Sequence, residues 1–113
     1  MPGVPPSDPQ PSPRLEQLQK LLEREPNDPF LLYGIALEHK KLGQASLALE
    51  FLQRVLALDA GYCYAYFQQG QIHESSGDIE SAKAAYHAGV EAAKKKGDAH
   101  AQSELEGALS MLE

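Results

Sequence analysis

The stretch Leu42–Leu52, LGQASLALEFL, is answered thirty-four residues further on by Ser76–Tyr86, SGDIESAKAAY. Each reads glycine, four residues, alanine, three residues, then a bulky side chain: Gly43, Ala48, Leu52 and Gly77, Ala82, Tyr86. A tight turn between two helices needs a residue that accepts positive φ, which glycine does without steric cost. Ala48, Leu52 and Val55 are spaced i, i+4, i+7 and share one helix face, as do Ala82, Tyr86 and Gly89. Ala36 and Gly70 stand at matching places in the preceding helices, again thirty-four residues apart. Small residues on both members of a hairpin let the axes approach, and Leu32, Ile35, Leu52, Tyr66 and Tyr86 fill the space beside the crossing.

Working outward, helical spacing is everywhere and no alternating strand run is found. A first helix is expected from about Pro13 to Glu25, stopped by Pro26. Asp28 and Pro29 open a second that ends near Gly43; the third runs from about Gln44 to Leu58 and the fourth from about Tyr62 to Ser75. Asp78 caps a fifth, closed by the three lysines before Gly97, and Asp98 caps a last helix to about Leu112. Residues 1–13 hold Pro2, Pro5, Pro6, Pro9, Pro11 and Pro13, six of the eight prolines, and are expected to be an extended, disordered tail.

Composition bounds the function. The chain has 113 residues, one domain's worth, and a net charge of −6, which argues against a nucleic-acid surface. A single cysteine, Cys63, permits no internal disulfide, and no apolar run is long enough to span a membrane. The N-terminus lacks the basic start and apolar run of a signal peptide. A cytoplasmic protein is the expectation.

Period, turns and the sparse set of small and large residues together resemble the tetratricopeptide repeat, and the short chain resembles the small stand-alone members of bacterial type. Repeat one is residues 29–62, with Leu32, Ile35, Ala36, His39, Gly43, Ala48, Leu52 and Val55 at signature positions. Repeat two is residues 63–96, with Tyr66, Gln69, Gly70, His73, Gly77, Ala82, Tyr86 and Gly89 there. The first helix matches the second half of a truncated repeat, and residues 98–112 would be the capping helix. The resemblance implies an all-α solenoid of antiparallel helix pairs over residues 14–113. Several positions depart from the family pattern: histidine replaces the usual tyrosine in both repeats, and Gln69 is polar where an apolar residue is usual.

Such an array leaves a concave surface lined by the first helix of each pair. Phe30, Tyr33 and Leu37 form an apolar stripe without an obvious partner on the second helix, and Tyr64, Phe67, Gln68 and Gln71 continue it on the fourth. The resemblance implies that these side chains, with Lys40 and Lys41, face the groove. Grouped aromatics are the anchor chemistry of protein interfaces, the amides can bond a peptide backbone, and the lysines would orient an acidic end. One subgroup of the family clamps a C-terminal carboxylate with Lys, Asn and Arg. Here Tyr33, Gly34 and Leu37 stand where that clamp needs polar or basic groups. The expectation is therefore a non-catalytic adaptor for an apolar peptide or helix. The alternative is a structural homo-oligomer assembled through the same face.

No cofactor, metal or catalytic residue is expected. His39 and His73 recur at one repeat position, but equivalent positions on packed helices lie about 10 Å apart, too far to share an ion. Cys63 opens a helix, yet spacing brings no histidine beside it, so packing is the simpler reading. Runs of Glu are solvated faces.

Overall fold

The computed structural model describes residues 12–113. Six helices follow one another: α1 (Pro13–Arg24), α2 (Pro29–Lys41), α3 (Ala45–Leu58), α4 (Cys63–Ser75), α5 (Ile79–Lys96) and α6 (Ala99–Ser110). There is no strand among the described residues, and none of their helices is long and apolar enough to cross a membrane. The expected tail lies outside the described residues except for its last two: Ser12 caps α1, its hydroxyl accepting from the Leu15 N–H at 2.9 Å, and Pro13 is the first helical residue.

Local chemistry sets the helix ends. Asp28 accepts from the Phe30 N–H at 2.9 Å ahead of Pro29, whose missing donor costs nothing at that position. Asp78 and Asp98 accept from the Ser81 and Ala101 N–H groups at 3.2 and 3.0 Å. The two quoted turns are the same turn twice. Gly43 and Gly77 adopt φ of 76° and 80°, and each sits in a Schellman closure. In the first, Gly43 N–H donates to Lys40 O and Gln44 N–H to His39 O, at 3.0 and 2.9 Å. In the second, Gly77 donates to Glu74 O and Asp78 to His73 O at the same distances. The third and fourth helices start one residue later than the spacing suggests, because Gln44 and Tyr62 serve as caps. Gln44 turns its side-chain oxygen to His39 Nδ1 at 2.7 Å instead of to the helix.

Packing runs along the chain. Leu15 and Leu18 of α1 meet Leu31 and Ile35 of α2. Leu32 and Ala36 close the first hairpin against Ala48, Leu52 and Val55, and Ala65 and Ile72 of α4 join them. Ala82, Tyr86, Val90 and Ala93 of α5 meet Cys63 of α4 and Ala101, Leu105 and Leu109 of α6. Each cluster thus links neighbouring units, which is how a repeat array builds its core. The result is an all-α solenoid of helix pairs, 54 × 34 × 19 Å.

Gly70 marks the closest approach. A Cβ there would penetrate the Tyr86 ring, so α4 has to carry glycine where α2 carries Ala36. The recurring histidines differ in setting. His39 is buried, stacked on Phe51 with centroids 5.4 Å apart, and His73 is half-buried on the opposite side of the molecule from the groove.

Candidate functional site

α3 packs against both α2 and α4, and α5 against both α4 and α6. The first helices of the pairs therefore come to one side, with their free faces forming a groove. Onto that face α2 puts Phe30, Tyr33, Leu37 and Lys40, spaced by three or four residues, and α4 puts Tyr64, Phe67, Gln68 and Gln71.

These side chains do not share one role. Phe30 is 68% exposed, and neither it nor Leu37 belongs to any core cluster. Tyr33 is half-buried and leans on Tyr62, centroids 5.0 Å apart. Burial raises its phenol pKa, with the neighbouring Gln68 amide pulling the other way. Phe67 is half-buried against the Tyr86 ring at 5.9 Å and packs on the α5–α6 cluster, so much of it is structural. Tyr64 donates its hydroxyl to Glu104 at 2.8 Å, and that acceptor, then burial, pushes its pKa up to about 12.

The polar part of the floor centres on Lys40. Its ammonium donates to Gln68 Oε1 at 2.7 Å and Gln71 Oε1 at 2.8 Å, bridging α2 to α4. Burial lowers its pKa. Lys41 behaves differently. It is mostly exposed at the rim and pairs with Glu38 at 3.4 Å, on the α1 side. Glu38 is buried, and its carboxyl is held below the usual range by the Ser12 hydroxyl (2.8 Å) with help from Lys41 and Arg14, against the opposing effect of burial.

Spacing missed three residues that shape this face. Tyr62, expected at the start of the fourth helix with no part in the groove, backs Tyr33. With Tyr33, Tyr64, Lys96 and Asp98 it lines a cleft of about 240 Å³ beside the groove. Glu104, with His100 Nε2 at 2.7 Å, brings the sixth helix into the floor. The signal was there but displaced: Pro29 and Cys63 start their helices 34 residues apart, whereas the longer α5 moves the next start to Ala99. Counted from that start, Glu104 stands where Gln68 stands in α4. Glu38 had no signal, because its partners Ser12 and Arg14 lie in another element.

A second cleft opens on the other side of the molecule, between α3 and α5 and floored by Tyr66, Gln69 and His73 of α4. Gln69 faces Gln53 across it, its side-chain amide donating at 3.4 Å, which accounts for a polar residue at an apolar signature position. Cys63 is buried, its thiol donates to Gly61 O at 3.3 Å, and burial raises its pKa. Among the described residues no three His, Cys, Asp or Glu side chains are grouped to hold a metal ion.

Comparison with known proteins gives a consistent result. The tetratricopeptide repeat profile matches residues 31–62 and 64–96. A TPR repeat-containing protein of Pseudomonas aeruginosa is 28% identical over 99 residues, spanning 88% of this chain and 94% of that one. The crystal structure of a tetratricopeptide repeat domain protein from Salinibacter ruber superposes with a TM-score of 0.69 at 32% identity, over 75% of this chain and 94% of that one. PcrH, solved in complex with the chaperone binding region of PopD, shares the fold with a TM-score of 0.80 at 16% identity, over 87% of this chain and 74% of its own.

Proposed function

The chain belongs to the tetratricopeptide repeat family, and on that footing we propose that it is a non-catalytic protein-interaction module that seats an apolar peptide or helix in the groove of α2, α4 and α6. One observation carries the reading. Phe30 and Leu37 are apolar, lie on the groove face, and take part in no core cluster. Side chains that the fold does not use, beside half-buried tyrosines and a polar floor, have the composition of an interface anchor. PcrH supports the reading as a protein of the same fold solved with a segment of another protein.

Phe30, Tyr33, Leu37 and Tyr64 are the contact residues, with Lys40, Gln68 and Gln71 as hydrogen-bonding floor. Phe67 and Lys41 contribute at the margins, being engaged with Tyr86 and Glu38. Two repeats make a short groove. A standard interface takes roughly 800 Å² from each partner, so the complex is expected to be weak or transient.

The test uses Phe30→Glu with Leu37→Glu, which spares the core. Both proteins should show the same circular dichroism and run as monomers at low micromolar concentration by light scattering. A protein captured from the source lysate by the parent chain and lost with the variant bears the proposal out. A variant that captures the same proteins contradicts it, and a parent chain that dimerises through this face favours self-assembly instead.

A further inference from the structure

We propose that Lys40 receives a carboxylate of the bound segment, at a fixed distance from an apolar side chain seated against Tyr33, Tyr62 and Tyr64. This deepens the groove reading above and rests on it.

Lys40 is half-buried between two helices, and among the described residues no carboxylate lies within ion-pairing distance of it. By contrast Arg14 and Lys41 pair with Glu38, and Lys83 and Lys94 with the exposed Glu80 and Glu91. Lys40 has only the two neutral amide oxygens of Gln68 and Gln71. An ammonium carries three donors, so one is left over. Both amides turn their oxygens to Lys40, which leaves the Gln71 N–H₂ as a donor beside the same point, while the Gln68 N–H₂ is shared with the Tyr33 hydroxyl. A partly desolvated cation with a donor of its own to spare and the Gln71 amide beside it suits an anion, and a carboxylate is the anion that a peptide carries.

Glu74 lines the same recess with Ser75. Its carboxylate is occupied by the Tyr86 hydroxyl, and burial alone accounts for the lowered Lys40 pKa. The clamp positions known from the family's carboxylate-binding subgroup are filled here by Tyr33, Gly34 and Leu37, so this is a different place in the groove.

The spacing can be read off the helix. Lys40 follows Tyr33 by seven residues, roughly 10 Å along the axis. An extended peptide covers that in about three residues, and a helix in about seven. The occupant is therefore a partner segment with Asp or Glu three residues from a bulky apolar residue if extended, or seven if helical.

The experiment selects displayed random twelve-residue peptides on the full chain and on Lys40→Gln in parallel. The parent chain should enrich peptides with that spacing, and Lys40→Gln should keep the apolar residue and lose the acid. Remaking one selected peptide with Asn for Asp should weaken binding to the parent about tenfold, and to Lys40→Gln hardly at all. Equal losses on the two proteins, or enrichment without an acid, would overturn the carboxylate site while leaving the groove standing. Peptides that bind Phe30→Glu with Leu37→Glu as well as the parent would overturn the groove itself, as would no enrichment at all. A tenfold gain in acidic-peptide affinity on Asp8→Asn, which removes the one acidic residue of positions 1–11, would overturn the assignment to a partner in favour of the chain's own side chain.

Discussion

Hairpins α2–α3 and α4–α5 are built on one plan but differ at three linked positions. The first has Ala36, Leu52 and Lys40, and the second has Gly70, Tyr86 and Glu74. Tyr86 is fully buried and needs the room that Gly70 leaves. A buried phenol also needs an acceptor, and Glu74 supplies it from the groove helix. Leu52 fills the equivalent space with no polar atom, so nothing in the first hairpin claims Lys40. That side chain reaches across to α4 instead. A tyrosine in one hairpin and a leucine in the other thus decide which charged group is tied into the fold and which is left for the groove.

Substitutions that convert one hairpin toward the other test this, and the largest effect should come from Gly70. Gly70→Ala drives a methyl into the Tyr86 ring and should cost about 3 kcal/mol in urea unfolding. Ala36→Gly, the reverse change in the first hairpin, should cost about 1 kcal/mol, mostly helix entropy. Adding Tyr86→Leu to Gly70→Ala should recover a large part of the loss, because the pair then copies Ala36 and Leu52. If the double variant is no more stable than Gly70→Ala, the three positions are not linked as described.

Next comes the hydroxyl. Tyr86→Phe leaves Glu74 half-buried without its donor and should cost about 2 kcal/mol. Lys40→Gln should change stability by no more than about 0.5 kcal/mol, because its amide partners stay accessible to water. A Lys40→Gln penalty as large as that of Tyr86→Phe would make Lys40 structural.

The smallest effect concerns another matched pair, Glu38 and Ile72. Ile72 is buried in the apolar core, whereas Glu38 holds Ser12, Arg14 and Lys41 at the α1–α2 seam. Its carboxyl is depressed in the fold, so the unfolded chain takes up a proton more readily. The contribution is complete above the ordinary carboxylate value of 4.5 and is lost as pH falls through the folded pKa. Acid titration of stability should therefore flatten in Glu38→Gln. An unchanged profile would remove Glu38 from the account.

Much of this architecture is legible in the chain because it rests on local chemistry. Gly43 and Gly77 announce their turns, Asp28, Asp78 and Asp98 their caps, and the spacing of Leu32, Leu52 and Tyr86 the buried faces. The groove was legible only in outline. The stripe of Phe30, Tyr33 and Leu37 can be read off α2, but the backing of Tyr33 by Tyr62 and of Phe67 by Tyr86 depends on how separate elements meet. The same holds for the bridge from Lys40 to Gln68 and Gln71, made over 28 and 31 residues of sequence. Glu104 was hidden by the greater length of α5, which breaks the 34-residue count between helix starts.

Two surfaces compete for the binding role, the groove of α2, α4 and α6 and the recess between α3 and α5, and the unused apolar side chains Phe30 and Leu37 favour the first. The most direct measurement is amide chemical-shift mapping of the ¹⁵N-labelled full chain on titration with a selected peptide. Shifts gathered on Tyr33, Leu37, Lys40, Gln68, Gln71 and Glu104 are the predicted result. Shifts gathered on Tyr66, Gln69, His73 and Ala88 would place the working surface on the opposite side and contradict it.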